Sequence, residues 1–369
     1  MKVLHVEMGR HLYGGARQVA YLLNGLAGHP DDGHVLVCAP GAAIAGAIDS
    51  SAVRIVPLAC SGDADLGFLG RLRRLIRDER PDLLHVHSRR GDLLAALAAR
   101  LEDCPAVHSR RVDNPPRWHD RAIKFPLFRR IITISQGIRQ VLLRAGVPDR
   151  KLHCIPSAVD TGRFRPGGDR TLLSTEFGLE PGPPVLAVIA QLIPRKGHRV
   201  LFEAWPAVLA RHPAARLLVF GQGPLEPQLR QAAGAAGWAD RVRFLGFRNH
   251  LDRILPCLDL VVHPASMEGL GVSLLEAAAC GVPIVASRTG GIPEIVRDGI
   301  NGCLVEPGDS GGLAETIVKL LDDPARRASF GAAGRNLALA EFSIPRMVED
   351  NRKLYVELAA RCPDEGSAA

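Results

Sequence analysis

The chain has 369 residues, of which 47% are hydrophobic and 23% are charged. A single hydrophobic core seldom serves a chain of this length, so two domains are expected, and the composition excludes a disordered protein. No apolar run approaches the roughly 18 residues that a membrane-spanning helix needs, and the N-terminus lacks the layout of a secretory signal. Eight scattered cysteines without metal-ligand spacing favour a reducing, cytoplasmic setting.

Positive charge is concentrated in the first half of the chain. Residues 1–165 carry 25 Lys and Arg against 16 Asp and Glu, whereas the remaining residues carry 21 against 23. The imbalance favours an anionic partner for the first half. A proteome made arginine-rich by its base composition would show the same excess without any partner, so both interpretations stay open.

The first half alternates short aliphatic runs with amphipathic stretches. This alternation predicts a parallel sheet with helices on both faces. The predicted strands are Lys2–Val6, His34–Ala39, Leu83–His87, Ala106–Ser109 and Ile131–Ile134. The predicted helices are Arg17–Leu26, Gly67–Glu79 and Asp92–Leu101, and the paired glycines Gly14-Gly15 form a turn before the first of them.

The same alternation restarts after a Pro/Gly-rich linker at Arg165–Asp169. The second set of predicted strands is Val185–Ala190, Arg216–Phe220, Val242–Leu245, Leu260–His263 and Pro283–Ala286. We predict two doubly wound α/β domains, residues 1–167 and 168–344, and a C-terminal helix within 345–369 that packs back on the first domain or stays with the second. The tail Pro363–Ala369 is expected to be loose. Because ligands bind outside the carboxyl ends of the strands, two such domains facing each other would form an interdomain cleft.

The segment Met267–Gly281 follows a buried strand and combines glycines with two carboxylates. A helix is predicted from Gly271 to Cys280, and its free N–H groups favour an anion such as a phosphate. Glu268 precedes this helix and Glu276 lies inside it, so the two can accept hydrogen bonds from sugar and ribose hydroxyls. The alternative is that Glu268 only complements the helix dipole, which is worth about 0.3–1 kcal/mol, and that Glu276 is solvated.

The stretch from Glu268 to Glu276 resembles the E-x7-E signature of retaining glycosyltransferases of family 4, which have the GT-B fold. Other stretches resemble family elements in the same order and cover nearly the whole chain. They are Gly14-Gly15, Cys154–Arg165 (CIPSAVDTGRFR), Ala190–Gly197 (AQLIPRKG), the glycine turn Phe220–Gly223 and Pro283–Val296. The resemblance implies two Rossmann-like domains facing a cleft that takes a nucleotide-sugar, without metal or other cofactor.

The resemblance also implies a role for each matching residue. As the glycosidic bond breaks, negative charge grows on the leaving diphosphate, and amides and cations must neutralise it. Lys196 would supply charge, and Glu268 would hold the donor sugar. The remaining donor-side residues are Gly14 and Gly15 at the diphosphate, Gly221 and Gly223 in the glycine turn, Gly271 and Val272 at the distal phosphate, and Glu276 at the ribose.

Two positions depart from the family pattern. Gln191 stands where the family has an arginine, which removes one cation from the diphosphate site. Arg195, next to Lys196, is the candidate to replace it. Ser157-Ala158 stands where the family has Asn-Gly. Both departures leave room for a weakened enzyme.

Histidines and arginines follow two predicted strands of the first domain. His108 matches a family histidine that lines the donor sugar, and His87 ends another strand on the acceptor side. The repeated HSRR sequence adds four arginines, which favour an anionic acceptor because the guanidinium binds phosphate or carboxylate through two hydrogen bonds. The alternative is a solvated face. The four are Arg89, Arg90, Arg110 and Arg111.

Two further motifs allow more than one interpretation. Asp63-Ala64-Asp65 is the D-x-D that binds metal in another glycosyltransferase fold, but its place before a helix predicts a helix cap and no metal. Aromatic and basic residues interleave over Lys124–Arg130. That segment would either dock on an anionic membrane surface or form a buried loop with basic flanks.

The function expected from the resemblance is retaining, metal-independent sugar transfer, with the donor held mainly by residues 190–300 and the acceptor by the first domain. Front-face substitution would let the leaving phosphate deprotonate the acceptor, so no protein base is required. A phosphorylated or lipid-linked glycan acceptor of envelope polysaccharide or lipopolysaccharide synthesis is favoured, at the inner face of the cell membrane and without nucleic acid. The alternatives are a nucleotide-sugar 2-epimerase and an inactive scaffold protein of the same fold. A dehydrogenase is disfavoured because no GxGxxG follows the first strand.

Overall fold

A computed structural model describes residues 1–49 and 51–360. They divide into two compact units, one formed by Met1–Ala158 and the helix that begins at Ile344, the other by Val159–Ser343. Each unit is built on one parallel sheet, as predicted. The tail Pro363–Ala369 and Cys362 lie outside the described residues.

Within the described residues, the first unit contains a seven-stranded sheet of order β3-β2-β1-β4-β5-β6-β7. The strand order reverses between β1 and β4, which is where ligands bind in doubly wound folds. The strands are β1 (Lys2–Glu7), β2 (Gly33–Cys38), β3 (Val53–Pro57), β4 (Leu83–Val86), β5 (Ala106–Arg110), β6 (Arg130–Thr133) and β7 (Leu152–Cys154). The helices are α1 (Gly14–Leu26), α2 (Leu66–Glu79), α3 (Asp92–Leu101) and α4 (Gln136–Arg144).

The second unit, in the part of the chain that is described, contains a six-stranded sheet of order β10-β9-β8-β11-β12-β13, which reverses between β8 and β11. Its strands are β8 (Val185–Ile189), β9 (Arg216–Phe220), β10 (Val242–Gly246), β11 (Leu260–His263), β12 (Ile284–Ser287) and β13 (Gly302–Val305). Its helices are α5 (Thr171–Phe177), α6 (His198–Arg211), α7 (Glu226–Ala235), α8 (Leu251–Ile254), α9 (Val272–Ala279), α10 (Ile292–Ile295), α11 (Ser310–Asp322) and α12 (Pro324–Glu341).

The last helix, α13 (Ile344–Ala360), packs against α1 of the first unit. Alternate residues of β1 face opposite sides of the sheet. Leu4 therefore belongs to the core that includes Phe68 of α2, whereas Val3 belongs to the core that includes Tyr355 of α13. Each such buried side chain stabilises the fold by about 1.5–3 kcal/mol, so α13 completes one face of this sheet.

The chain divides at Ala158, nine residues before the predicted boundary at Gly167. The Pro/Gly-rich stretch is not the division because the residues before it already pack within the second unit. The Val159 N–H donates to the Phe342 carbonyl at 2.9 Å, and Arg163 pairs with Asp252 at 2.7 Å. Phe164 is fully buried in the same unit.

Gly197 joins the turn after β8 to α6 in a conformation that only glycine adopts easily. Its φ is +72°, and a Cβ placed on it would lie 1.8 Å from the Pro264 carbonyl oxygen. We expect Gly197→Ala to lower the free energy of unfolding by about 3–5 kcal/mol, because the clash adds to the left-handed strain of about 1–2 kcal/mol. Urea denaturation measures this loss.

Gly299→Ala is the matched control for this substitution. Gly299 has the same φ of +72° but no atom within 4 Å of its added Cβ. It should cost only the strain of about 1–2 kcal/mol. Equal losses in the two variants would show that the contact with Pro264 is unimportant.

Candidate functional site

The carboxyl edge of the second sheet brings together four loops that the sequence motifs singled out. The loops after β8 and β9 are joined by a hydrogen bond from Leu192 N–H to the Gln222 carbonyl, at 3.0 Å. The loop after β11 is joined to the loop after β8 by a hydrogen bond from the Ser266 N–H to the Arg195 carbonyl, at 2.9 Å. Gly291 N–H, after β12, donates to the Glu268 carbonyl at 3.1 Å. The predicted donor-side segments of this unit therefore form one hydrogen-bonded edge.

Glu268 and Lys196 form a largely buried ion pair at this edge. Lys196 Nζ lies 2.5 Å from Glu268 Oε2, and only 12% and 13% of the two side chains are exposed. The other carboxylate oxygen, Oε1, accepts the Gly269 N–H at 3.1 Å. Both predicted catalytic residues of this unit thus share one site.

His263 is a third member of this group that the sequence motifs missed. Its Nε2 lies 2.8 Å from Glu268 Oε2. Burial alone would raise the pKa of the Glu268 carboxyl, but the hydrogen bond from His263 and the charge of Lys196 outweigh it and lower that pKa to about 2. The signal available in the sequence was the position of His263 at the end of β11, five residues before Glu268.

His198, the first residue of α6, is a second buried histidine that the sequence motifs missed. Burial, reinforced by His263 and Lys196, lowers the pKa of His198 to about 4, so the imidazole is neutral at physiological pH. Neither of its ring nitrogens has a partner within the described residues. His263 and His198, 1% and 0% exposed, thus place two buried imidazole rings next to the ion pair.

Glu276 lies in α9, which Gly271 precedes and Val272 begins. The glutamate is 6% exposed, so the alternative in which its carboxylate is solvated is wrong. Gly271 caps α9 with a φ of +95°. Contact of Glu276 with a ribose, and of the Gly271 and Val272 amides with a phosphate, stays a prediction.

Gln191 and Arg195 lie on the exposed part of the loop after β8. The Arg195 carbonyl accepts the Ser266 N–H, and the Lys196 side chain reaches Glu268. Whether Arg195 replaces the missing arginine stays a prediction. Gly221 and Gly223 follow β9 and adjoin the same loop, because the Leu225 N–H donates to the Leu192 carbonyl at 3.0 Å.

The paired glycines of the first unit lie inside α1, which begins at Gly14 and not at the predicted Arg17. Arg111 lies against the second of them, since a Cβ on Gly15 would be 3.5 Å from Arg111 Cδ. Burial lowers the pKa of the Arg111 guanidinium to about 10, although the charge of Glu7 opposes this shift. Gly15 therefore has a cation beside it, and the contact of Gly14 and Gly15 with a diphosphate stays a prediction.

The carboxyl ends of β4 and β5 surround a cavity of about 190 Å³. Four of the five predicted acceptor-side residues line it, as does the predicted catalytic His108; the four are His87, Arg89, Arg110 and Arg111. Arg90 lines a second cavity of about 460 Å³ that Arg89 also borders. The solvated-face alternative is wrong for Arg110, which is 5% exposed and ends β5.

A layer of buried histidines lies between the first sheet and α13. His5 Nδ1 lies 3.1 Å from His87 Nε2, and His5 Nε2 lies 3.3 Å from His34 Nδ1. His85 bonds to Tyr355 and Ser109 at 2.6 and 2.8 Å. The nitrogens of His5, His85 and His87 lie within 4.8 Å of one another. They could hold a metal ion only by giving up these hydrogen bonds.

The two remaining sequence motifs have structural roles. Asp65 caps α2 by accepting the Phe68 N–H at 2.8 Å, so the helix-cap interpretation of Asp63-Ala64-Asp65 is confirmed. Phe125 and Phe128 are buried, and Lys124 pairs with Asp92 at 2.9 Å. The segment Lys124–Arg130 is therefore a buried loop, and its aromatic rings are not available to a membrane surface. No helix within the described residues has the length and apolarity to cross a bilayer.

Comparisons with known proteins agree with this architecture. The model for glycosyltransferase family 4 matches residues 13–163, and that for glycosyl transferases group 1 matches residues 169–337. The structure of HepE from Anabaena in complex with UDP superposes with a TM-score of 0.83 at 20% identity, covering 97% of this chain and 100% of that one. The structure of a glycosyltransferase from Rickettsia africae superposes with a TM-score of 0.86 at 17% identity, covering 98% of this chain and 99% of that one. The two units thus define an α/β protein of the GT-B fold.

Sequence relatives specify the family. A GDP-mannose-dependent alpha-(1-6)-phosphatidylinositol monomannoside mannosyltransferase of Mycobacterium tuberculosis is 31% identical over 289 residues, 74% of this chain and 75% of that protein. A GDP-mannose-dependent monoacylated alpha-(1-6)-phosphatidylinositol monomannoside mannosyltransferase of Corynebacterium glutamicum is 41% identical over 200 residues. That match covers 51% of this chain and only 52% of the relative, so the chain spans about half the length of this relative. The chain belongs to glycosyltransferase family 4.

Proposed function

We propose that this chain transfers a sugar from a nucleotide-sugar to a glycan or lipid-linked acceptor, with retention of anomeric configuration and without a metal ion. The observation that carries the proposal is the buried group of Lys196, Glu268 and His263. It combines a cation for a leaving diphosphate with a carboxylate for sugar hydroxyls, at the edge where α/β sheets bind ligands.

The low pKa of Glu268 supports a binding role for its carboxylate. With a pKa of about 2, the group is ionised at neutral pH and offers only hydrogen-bond acceptors. It suits the hydroxyls of a donor sugar and is a poor proton donor or base. The leaving phosphate would then take the acceptor proton, which is the front-face course that retains configuration.

Metal independence is supported by the side chains at the candidate site of the second unit. A diphosphate-bound cation is usually held by carboxylates, and the Glu268 carboxylate already has Lys196 and His263 as partners. Lys196 can supply positive charge to the diphosphate instead. We therefore propose that transfer continues when divalent cations are chelated with EDTA.

The acceptor is proposed to be an anionic glycan or a lipid-linked one, held by the first unit, in envelope polysaccharide, lipopolysaccharide or glycolipid synthesis. Support comes from the arginines beside the smaller cavity and from relatives named for phosphatidylinositol monomannoside. A relative from Segniliparus rotundus, 35% identical over 191 residues, is a D-inositol 3-phosphate glycosyltransferase. We propose a site of action at the cytoplasmic face of the cell membrane, where lipid-linked acceptors are found.

Calorimetric titration with GDP-mannose, UDP-glucose, an ADP-sugar and a CMP-sugar tests this function. We expect one of them to bind the wild-type protein and to bind Lys196→Gln and Glu268→Gln at least tenfold more weakly, with no change on addition of EDTA. Lys319→Gln and Glu315→Gln are matched controls, because these residues form an ion pair of the same 2.5 Å length on the exposed face of α11.

Three results would contradict the proposal in different ways. If no nucleotide-sugar binds, the transferase assignment fails and an inactive scaffold remains. If binding is equal in all variants, the donor lies elsewhere. If NMR shows that the sugar is altered at C2 without an acceptor, the protein is an epimerase.

A further inference from the structure

The cavity of about 190 Å³ in the first unit carries more positive charge than the protein itself compensates. Five cationic side chains line it against one carboxylate, that of Asp120. Lys124 is compensated, because its Nζ lies 2.6 Å from Asp120 and 2.9 Å from Asp92. In the described part of the chain, the four arginines have no carboxylate within ion-pair distance; they are Arg89, Arg110, Arg111 and Arg117. Carboxylates act on Arg110 and Arg111 only from beyond that distance, and the excess of positive charge in the lining favours an anion from outside.

Buried polar atoms of the same lining also have no partner. His87 Nδ1, His108 Nδ1 and Arg110 Nε make no hydrogen bond within the described residues. The three residues are only 4%, 2% and 5% exposed, so solvent does not satisfy these atoms freely. A buried polar atom without a partner costs about 1–3 kcal/mol, so the hydrogen bonds of the protein itself leave this lining incompletely satisfied.

We infer that this cavity binds a phosphate group of the acceptor, so that the acceptor is a phosphate ester and not a carboxylate. The inference rests on the proposed function, because it names the anionic group of that acceptor. The guanidinium groups come from the end of β4, the end of β5 and the loop that follows, so they approach from separate parts of the lining. A tetrahedral phosphate offers oxygens in several directions, whereas a planar carboxylate offers two in one plane.

The neighbouring cavity provides space for the rest of the acceptor. It measures about 460 Å³ and shares Arg89, Arg117 and Lys124 with the smaller one. The phosphate is therefore held at the strand ends while the esterified group extends into the larger space. Arg117, which the sequence motifs did not single out, becomes a specificity residue for the phosphate.

Titration of the full chain with glycerol 3-phosphate tests the inference. The background is Lys196→Gln, which is expected to weaken phosphate binding at the proposed donor site. We expect glycerol 3-phosphate and inorganic phosphate to bind, and L-malate at equal ionic strength to bind at least tenfold more weakly. The double substitution Arg89→Gln and Arg117→Gln should weaken glycerol 3-phosphate binding at least tenfold, because both side chains line the cavity. Both side chains are exposed, so their loss leaves the fold intact.

Arg74→Gln is the control for the loss of one charge. Arg74 is an exposed arginine of α2 that does not line this cavity, so its replacement should leave phosphate binding unchanged. The inference fails if glycerol 3-phosphate does not bind, if L-malate binds as well, or if the Arg89/Arg117 variant binds as the background does. Nucleotide-sugar titration of the wild-type protein separates this from failure of the proposed function, since it does not depend on these two arginines.

Discussion

Replacement of Lys196 by glutamine is expected to reduce the rate of nucleoside diphosphate release from the donor by about 10²–10³-fold, or ~3–4 kcal/mol of activation free energy. The physical reason is that negative charge grows on the diphosphate as the glycosidic bond breaks. Lys196 is the cation placed at the carboxyl edge of the second sheet, and Gln191 stands where the family pattern has an arginine.

The rate is measured by coupled detection of the diphosphate, with water as acceptor where no sugar acceptor has been found. Glu268→Gln should also slow release, because the donor sugar loses an ionised hydrogen-bond acceptor. Lys319→Gln, in the exposed pair on α11, should change the rate by less than about twofold. A Lys196→Gln protein as active as the wild type would refute the role given to this lysine.

Acidification from pH 7.5 to 5.5 is expected to remove much of the stability of the protein. Burial lowers the pKa of six histidines: to about 4 for His34 and His198, to about 3 for His108, and well below the ordinary value for His5, His85 and His87. The histidines of the unfolded chain bind protons near pH 6.5, whereas these six histidines of the folded chain do not. The free energy of unfolding therefore falls as the pH drops through 6.5. Each histidine contributes about 1.4 kcal/mol over this range, roughly 8 kcal/mol at most for all six.

Buried carboxyls with a raised pKa, at Glu7 and Asp92, act in the opposite direction, but only as the pH approaches their own range. Since typical domains are stable by about 5–15 kcal/mol, unfolding near pH 5–6 is expected. Urea midpoints across this pH range measure the effect. His34→Asn should reduce the dependence of stability on pH by about one proton, because the lowered pKa of His34 is then lost. Midpoints that stay constant would show that the buried imidazoles do not control stability.

The central strands and the donor loops could be predicted from the sequence because buried parallel strands are continuous apolar runs. β9, β11 and α3 lie where they were predicted. The strands β3, β7 and β13 were missed, since they lie at sheet edges and are partly exposed, which breaks the apolar pattern.

The interior of the candidate site could not be predicted, because it depends on contacts between residues far apart in the sequence. His263 reaches Glu268 across the loop after β11, and Lys196 reaches it from 72 residues away. Arg117 lies in a loop without a motif, and only the fold brings it to the cavity at the strand ends. The burial of Glu276 likewise follows from the packing of α9 and from no local pattern.

Hydrogen–deuterium exchange with and without the nucleotide-sugar that binds tests the central claim most directly, because it locates the donor without any acceptor. We predict slower exchange in peptides that cover residues 190–197, 220–224 and 266–276, and loss of this protection in Lys196→Gln. Protection confined to the first unit, or protection of residues 190–276 that Lys196→Gln leaves unchanged, would contradict a donor site built on Lys196 and Glu268.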